Sequence, residues 1–241
     1  MKGGTAVKRW VVADRRISEK CEEGLSRLGY GVIKVPPFIG LAPAVASHPD
    51  MVFFIGRGAL VCDYEYYAGH ADTVEAVLEK GKLRLLFSRE ELFGKYPRDV
   101  LFNAAPIGNR LICRQRSVSV TVRALYPEDA LINVNQGYAK CATLTVGDSG
   151  VITADPSVAK AVAGAGLDVL KLESHGVELS GYDCGFIGGA SGDDGGRILF
   201  CGSLERHPEG EAIAEFCRRH GREPLSLSDE PLYDYGSLIF I

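Results

Sequence analysis

A cysteine, a histidine and two aspartates are the residues of this sequence whose types and spacing could do chemistry together. Cys141 supplies a thiol, His48 precedes Asp50 by two residues, and Asp183 lies further along the chain. A thiolate is a strong nucleophile, and an imidazole can exchange protons near neutral pH. The two carboxylates would add negative charge to the same place. These residue types predict a site suited to covalent catalysis by a cysteine, provided that the fold brings them together.

The elements that must position these residues form a five-fold repeat. A short strand ending in a small or polar residue recurs at Trp10–Asp14, Ala59–Asp63, Arg110–Arg114, Gly150–Ala154 and Arg197–Cys201. A repeat of nearly constant period indicates stacked or ring-arranged units. Amphipathic helices, with start signals before them and glycine after them, are predicted at Ser18–Leu28, Ala71–Lys80, Pro156–Ala165 and Pro208–His220. The third copy is rich in β-branched residues over 117–125, which predicts little helix there.

Each helical pattern leads to an alternating strand, and a further strand opens the next unit. The predicted opening strands are Asp50–Ile55, Asp99–Phe102, Cys141–Val146, Asp183–Ile187 and Asp234–Phe240. The unit is therefore strand, strand, helix, strand. The predicted fold class is α/β, a five-fold pseudo-symmetric α/β propeller of ββαβ units.

The spacing of glycines gives a register between three opening strands. Asp50, Cys141 and Asp183 each precede a glycine by six residues, which makes them equivalent positions of three units. In a ring, equivalent strand starts converge near the axis. The register thus predicts that a thiol and two carboxylates meet there, with His48 on the same strand face as Asp50.

The two ends of the chain carry parts of one unit. The C-terminal segment opens a unit that only the strand around Trp10 can continue. Pairing of the terminal strands would close the ring and remove its exposed sheet edges. No linker interrupts the pattern, so residues 1–241 are predicted to form a single domain, with two domains as the alternative.

Composition and charge limit the classes of partner. The formal net charge is −4, so no strong positive field attracts nucleic acid or an anionic membrane. The longest apolar runs are strand-sized, and the first residues lack the apolar middle of a signal peptide. Seven cysteines form an odd set without a close pair, which predicts reduced thiols and a cytoplasmic protein. Cysteines within strands, such as Cys62 and Cys113, are best interpreted as small buried apolar residues.

These features together resemble the pentein superfamily of guanidino-group-modifying enzymes. The resemblance lies in the five units, in His48-Pro49-Asp50 before an apolar strand, and in the segment Gly137–Cys141 leading to a cysteine two units later. The superfamily includes arginine deiminases, dimethylarginine hydrolases, agmatine deiminases and amidinotransferases. The segments GYAKC and LSGYDCGFIGGASG resemble most closely an uncharacterised bacterial branch of it.

The resemblance implies a catalytic role for three residues. Cys141 would attack the guanidinium carbon to form a covalent intermediate. His48 would protonate the departing amine and then activate water, and Asp234 stands where the family has the acid that supports this histidine. The implied activity is that of a cysteine-dependent hydrolase or amidinotransferase. It needs no cofactor and no metal.

The resemblance also implies the groups that would bind the substrate. Asp50 and Asp183 would hold the guanidinium nitrogens, since carboxylates match that planar cation, and Asn103 is a further candidate. The expected partner is a small guanidino or amidino compound, with no nucleic acid and no membrane. Asp183 is placed by register alone. The nucleophile also lies in mid-chain, whereas most of these enzymes carry it near the C-terminus.

Alternatives remain open for each part of the site. Cys141 could instead be an inert strand cysteine, and His48 and Asp50 could belong to a turn before a strand. The run Gly185–Gly196 lacks the spacing of a phosphate loop and favours a hairpin connection. The alternative function is a non-catalytic binding protein with the same fold, resembling the ribosome anti-association factor of the superfamily.

Overall fold

Five small sheets, each of three strands, make up the framework of the protein. The computed structural model describes residues 9–241. The strands are β1 (Arg9–Asp14), β2 (Tyr30–Val35), β3 (Phe53–Gly56), β4 (Ala59–Cys62), β5 (Arg84–Phe87), β6 (Ala105–Ile107), β7 (Arg110–Cys113), β8 (Leu131–Asn133), β9 (Leu144–Val146), β10 (Gly150–Thr153), β11 (Asp168–Lys171), β12 (Ser191–Asp193), β13 (Arg197–Phe200), β14 (Glu223–Ser226) and β15 (Ile239–Phe240). The α-helices are α1 (Glu19–Arg27), α2 (Pro49–Val52), α3 (Tyr64–Gly69), α4 (Ala71–Gly81), α5 (Val120–Arg123), α6 (Pro156–Gly164) and α7 (Gly210–Arg219).

All five sheets have the same topology. The sheet orders are β15-β1-β2, β3-β4-β5, β6-β7-β8, β9-β10-β11 and β12-β13-β14. In each sheet the first strand is antiparallel to the second, and the second is parallel to the third. A helix lies between the two parallel strands, as a parallel connection requires. The mixed α/β fold and the order strand, strand, helix, strand are thus confirmed.

The helices follow from their local sequence. In α6 the side chain of Asp155 accepts hydrogen bonds from the N–H groups of Ser157 and Val158, and Pro156 occupies the first turn. Val158 and Val162 lie one turn apart and are both buried. The third unit has only the four-residue α5. Its β-branched sequence therefore forms little helix, as predicted.

The two ends of the described chain pair with each other. Val11 lies opposite Phe240 and Val12 opposite Ile239 in an antiparallel ladder. The first strand of this unit is thus the last strand of the chain. The predicted pairing of the terminal strands is confirmed.

The five first strands also share one cavity. It has a volume of about 250 Å³, and residues on or beside β3, β6, β9, β12 and β15 line it. We call it the axial cavity. Strand β9 contacts β6 and β12, and β12 contacts β15. The starts of these strands therefore lie around a common space.

Two predicted opening strands were wrong, and the error affects one site residue. Residues 99–102 are not a strand, because a 3₁₀ turn occupies Arg98–Val100 and β6 begins only at Ala105. Residues 183–187 are not a strand either, because β12 begins at Ser191. Gly189 therefore precedes its strand, whereas Gly147 follows β9. The glycine register fails in this unit.

The Gly-rich run ends in a hairpin, as predicted. Asp194 N–H donates to the carbonyl of Arg197 across the turn between β12 and β13, and Gly195 has φ +91°. None of the helices within residues 9–241 is long and apolar enough to cross a membrane.

Candidate active site

The structure brings three of the predicted residues into one cluster. A ring nitrogen of His48, a carboxylate oxygen of Asp50 and the sulfur of Cys141 all lie within 4.8 Å of one another, and all three residues are buried. The residues come from two segments that precede strands rather than from the strands themselves. His48 and Asp50 stand at the start of α2, where Pro49 occupies the first turn, and Cys141 lies in a turn before β9. Their predicted placement on strands was therefore wrong, although their proximity was predicted.

Hydrogen bonds fix the thiol of Cys141 on two sides. Its Sγ–H donates to Asp50 Oδ2 at 3.1 Å, and the side-chain amide of Asn103 donates to Sγ, also at 3.1 Å. The Asn103 carbonyl oxygen accepts from the backbone N–H groups of Lys140 and Cys141, at 2.7 and 3.2 Å. Asn103 is fully buried. Asn103 therefore binds both the backbone and the sulfur of Cys141, whereas the sequence predicted that it contacts the substrate.

Burial and nearby negative charge favour the protonated thiol of Cys141. Burial raises its pKa well above the ordinary value, and the negative charges of Asp50 and Asp234 raise it further. The hydrogen bond from Asn103 opposes this shift. A positive charge next to the sulfur would favour the thiolate.

His48 lies between two carboxylates. Its Nδ1 is 3.8 Å from Asp234 Oδ1, and its Nε2 is 3.8 Å from Asp14 Oδ2. Both distances exceed a hydrogen bond, and neither ring nitrogen has a hydrogen-bond partner within the described residues. Burial lowers the pKa of His48, and the charges of Asp234 and Asp14 oppose that shift. Two acids are thus placed to stabilise an imidazolium when one forms.

Asp14 is a residue of this site that the sequence interpretation missed. It ends β1 and is fully buried, and Arg16 donates to its carboxylate through Nε at 2.9 Å and through its backbone N–H at 2.7 Å. A signal existed, since the strand in each copy was noted to end in a small or polar residue. Of the residues that end the five repeated strands, Asp14 is the one that lies beside His48 and belongs to the site.

Asp234 is held by the backbone of two neighbouring segments. Its Oδ2 accepts from the N–H of Phe186 and its Oδ1 from the N–H of Gly236, both at 2.9 Å. Burial raises its pKa, and the proximity of His48 opposes this. A Cβ atom at Gly189 would lie 1.9 Å from Asp234 Oδ1. Glycine is therefore required at position 189 for this carboxylate to reach the histidine.

A cavity opens on one side of the cluster. It has a volume of about 180 Å³, and we call it the substrate cavity. His48, Cys141 and Asp234 form its polar part, and its other lining residues are Val45, Tyr138, Leu179, Tyr182, Cys184 and Phe186. Asp50 lines the axial cavity instead, together with Lys140. The thiol, the imidazole and one carboxylate thus face a small space walled by aromatic rings, while Asp50 lies behind the thiol.

Asp183 does not join the cluster. Its residue is exposed, and it does not line the substrate cavity. The backbone at Gly188 and Gly189 occupies the matching place, with the N–H of Gly189 donating to the Cys141 carbonyl at 3.0 Å. The prediction that Asp183 faces the axis was wrong because it rested on the failed glycine register.

A second polar chain reaches Asp50 from behind. Lys140 Nζ donates to Ser237 Oγ at 3.0 Å, and Ser237 Oγ donates to Asp50 Oδ2 at 2.8 Å. Burial raises the pKa of Asp50 to about 6, and Lys140, Cys141 and Ser237 oppose that shift. Asp50 Oδ1 has no partner among the described residues. No pattern in the sequence singles out Lys140, because adjacency to a cysteine alone indicates no role.

The cluster of His48, Asp50 and Cys141 has the residue types of a metal site, but its spacing differs. Two ligands of one tetrahedral zinc, at their usual bond lengths, stand about 3.5 Å apart. The Sγ to Oδ2 distance of 3.1 Å is shorter and fits an S–H···O hydrogen bond. The cluster is therefore a hydrogen-bonded thiol and acid beside an imidazole.

One protein family matches nearly the whole chain. Its description is "Family of unknown function (DUF6873)", and its model covers residues 12–239. The chain belongs to this family. No functionally curated protein matches the chain by sequence.

Solved structures with the same fold are enzymes of the pentein superfamily. A dimethylarginine dimethylaminohydrolase in an adduct with S-methyl-L-thiocitrulline has a TM-score of 0.58 and 8% identity, over 92% of each chain. Its counterpart from Pseudomonas aeruginosa, complexed with citrulline, has a TM-score of 0.53 and 8% identity, again over 92% of each chain. SxtG, an amidinotransferase from Microseira wollei, has a TM-score of 0.50 and 12% identity over 87% of this chain and 74% of that one. The predicted resemblance to the pentein superfamily is confirmed, and at these identities the likeness concerns the fold.

Proposed function

We propose that this protein is a cysteine-dependent enzyme that acts on a small guanidino or amidino compound. The observation that carries the proposal is the meeting of Cys141, His48 and Asp234 at the wall of one small cavity. A cluster of nucleophile, acid–base group and supporting acid in a cavity is what covalent catalysis requires. The fold shared with guanidino-modifying enzymes supports the same conclusion.

The charges of the site favour a cationic substrate. Asp234 and Asp14 flank His48, and Asp50 lies behind the thiol. A guanidinium or amidinium would reduce the repulsion that raises the pKa of Cys141. The rings of Tyr138, Tyr182 and Phe186 line the cavity, and aromatic faces attract cations.

The proposed reaction has two steps. Cys141 Sγ gives up its proton to a carboxylate of the site and bonds to the amidino carbon, and the C–N bond to the departing amine breaks as His48 donates a proton to that amine. Water, deprotonated by His48, then attacks the same carbon, and the C–S bond breaks with its electron pair returning to Sγ. An amine in place of the water would give transfer of the amidino group instead of hydrolysis. Asp234 and Asp14 stabilise the imidazolium.

The five sheets support two further proposals about the framework. We propose that they close into one ring and form a single domain over residues 1–241, since the terminal strands pair and all five first strands line the axial cavity. We also propose a reducing, cytoplasmic setting. All seven cysteines are free, including those that lie buried in β4 and β7.

The test is turnover of a panel of guanidino and amidino compounds. Guanidine, methylguanidine, agmatine, arginine and acetamidine are incubated with the protein, and released ammonia or amine is measured, with and without glycine as an amine acceptor. We expect release from at least one compound, and none from Cys141→Ser. Binding of these compounds without any turnover would indicate the non-catalytic alternative.

A further inference from the structure

The carboxylate of Asp50 is oriented toward the thiol and away from the substrate cavity. Its Oδ2 accepts the Cys141 Sγ–H, and it lines the axial cavity rather than the cavity that contains Cys141 and His48. The residue is 2% exposed. A guanidinium in the substrate cavity would meet the sulfur first. The partner of Asp50 in this geometry is therefore the Cys141 thiol and not the substrate.

Lys140 and Ser237 form the other side of the same arrangement. Ser237 is fully buried, accepts a hydrogen bond from Lys140 and donates its one proton to Asp50. The carbonyl of Gly188, at 2.9 Å, is a second acceptor for that proton. The two hydrogen bonds bring Nζ of Lys140 within about 6 Å of Asp50, close enough for a positive charge to stabilise the carboxylate. Burial lowers the pKa of Lys140, and the negative charges of Asp50 and Asp234 oppose that shift.

We propose that Asp50 is the base that takes the proton of Cys141, and that Lys140, acting through Ser237, is a positioning residue that keeps Asp50 ionised. This rests on the proposed function of Cys141 as the nucleophile. It replaces the guanidinium contact that the sequence predicted for Asp50. The hydrogen bond along which this proton would move joins Cys141 Sγ to Asp50 Oδ2.

The proton balance of the reaction closes with this role. The Sγ–H bond breaks and its proton bonds to Asp50 Oδ2, while the sulfur electron pair forms the C–S bond. His48 separately gives a proton to the departing amine and recovers one from the attacking water. When the C–S bond breaks, the sulfur takes its proton back from Asp50. Asp50 thus ends each cycle ionised.

Several charged groups face Asp50, and they act in opposite directions. Lys140 favours its ionised form, whereas the nearby charge of Asp14 raises its pKa, as burial does. Asp234 and Asp50 repel each other, and His48 lies within the same cluster. Of the charged groups that act on the Asp50 pKa, Lys140 lowers it most. Its removal should therefore change the pH at which Asp50 ionises.

The experiment measures alkylation of Cys141 by iodoacetamide between pH 5 and 9, followed by peptide mapping that separates Cys141 from the other cysteines. It needs no substrate. In the wild type we expect the rate to rise as Asp50 ionises near pH 6 and then to level off. In Asp50→Asn this rise is lost and the rate at pH 7 falls about a hundredfold, as expected for loss of a general base.

Two lysine variants test the positioning role. In Lys140→Met the alkylation rate of Cys141 rises at a higher pH than in the wild type. The rate at pH 6 falls about tenfold for each pH unit by which the rise is shifted. Lys140→Arg keeps the charge and restores the profile, and Ser237→Ala shifts it in the direction of Lys140→Met. Lys160→Met, on the exposed face of α6, is the matched control and keeps the wild-type profile. Circular dichroism checks that each variant is folded.

The outcomes separate this inference from the proposed function. Faster alkylation in Asp50→Asn would overturn it, because the carboxylate would then only oppose the thiolate by its charge. If Asp50→Asn leaves the alkylation profile unchanged and raises the KM for a guanidino compound that is turned over, Asp50 binds the substrate and the inference is overturned. An unmoved rise in Lys140→Met would overturn the role of the lysine. If the profiles behave as expected but no guanidino compound is turned over, the substrate proposal fails while the assignment of Asp50 stands.

Discussion

The turn before β9 and the loop before β12 occupy matching places in two units and do different work. The first carries Cys141, whose side chain enters the substrate cavity. At the matching positions the second has only backbone, at Gly188 and Gly189, and the N–H of Gly189 donates to the carbonyl of Cys141. A Cβ at Gly188 would lie 2.3 Å from the carbonyl oxygen of Thr143. The segment that carries Cys141 can pack this closely against the loop before β12 because the loop has glycine at the contact.

The largest effect is expected when the thiol of Cys141 is removed. Cys141→Ser should lower kcat for the best guanidino substrate at least about a thousandfold, since a hydroxyl has no comparable nucleophilic form at neutral pH. Steady-state assays measure it. Cys62→Ala, at a buried strand cysteine, is the control and should keep activity within a few fold. Equal losses in the two variants would show that Cys141 matters only for packing.

The second test fills the space that the glycine leaves. Gly189→Ala should push Asp234 away from His48 and lower kcat by about a hundredfold, the cost of misplacing a catalytic group by about 1 Å. Overpacking should also cost about 2 kcal/mol of unfolding free energy. For a chain of this size that lowers the melting temperature by roughly 4–8 °C.

The matched control is Gly164→Ala at the end of α6, where a Cβ meets nothing within 4 Å. This variant should be as stable as the wild type or slightly more so, because alanine favours a helix more than glycine does. A stable and fully active Gly189→Ala protein would contradict the crowding explanation.

The pH dependence of turnover gives a third test, on the side of the site that carries Cys141. Asp50 becomes ionised as the pH rises through about 6, which gives a rising limb. Burial holds the pKa of His48 below its ordinary value, so its proton is lost with rising pH, which gives a falling limb. We expect kcat/KM to pass through a maximum below neutral pH and to fall about tenfold per unit at alkaline pH. Turnover that still increases from pH 7 to 9 would exclude His48 as the acid.

The smallest effect is expected in the loop before β12. Asp183→Asn should leave kcat and KM within about twofold and stability within about 0.5 kcal/mol, as for an exposed residue outside the site. The same assays measure it. A tenfold rise in KM would restore the sequence prediction that Asp183 binds the substrate.

Much of the framework could be predicted from the sequence because each unit carries local signals. Caps such as Asp155, glycines after helices and apolar strands defined the second strands, the long helices and the pairing of β1 with β15. The first strands of the units are only two to four residues long, so their ends depend on neighbouring units. That is why β6 and β12 were misplaced.

The candidate site could be predicted only where chemistry and local pattern coincide. The proximity of Cys141 and His48 followed from the register that makes Cys141 and Asp50 equivalent positions of two units. Asp14 joins the site because it lies next to His48, which belongs to another unit. Lys140 joins it through its hydrogen bond to Ser237, again from another unit. No spacing along the chain encodes these contacts. Asp183 shows the converse, since its spacing matched but the residue is exposed and lies outside the substrate cavity.

The most direct test of the central claim is the intact mass of the protein after rapid acid quenching with each compound of the guanidino panel. The account predicts an added mass equal to the substrate minus the departing amine, located on Cys141 by peptide mapping and absent in Cys141→Ser. No adduct with any compound, together with alkylation of Cys141 no faster than that of Cys62 or Cys113, would contradict it.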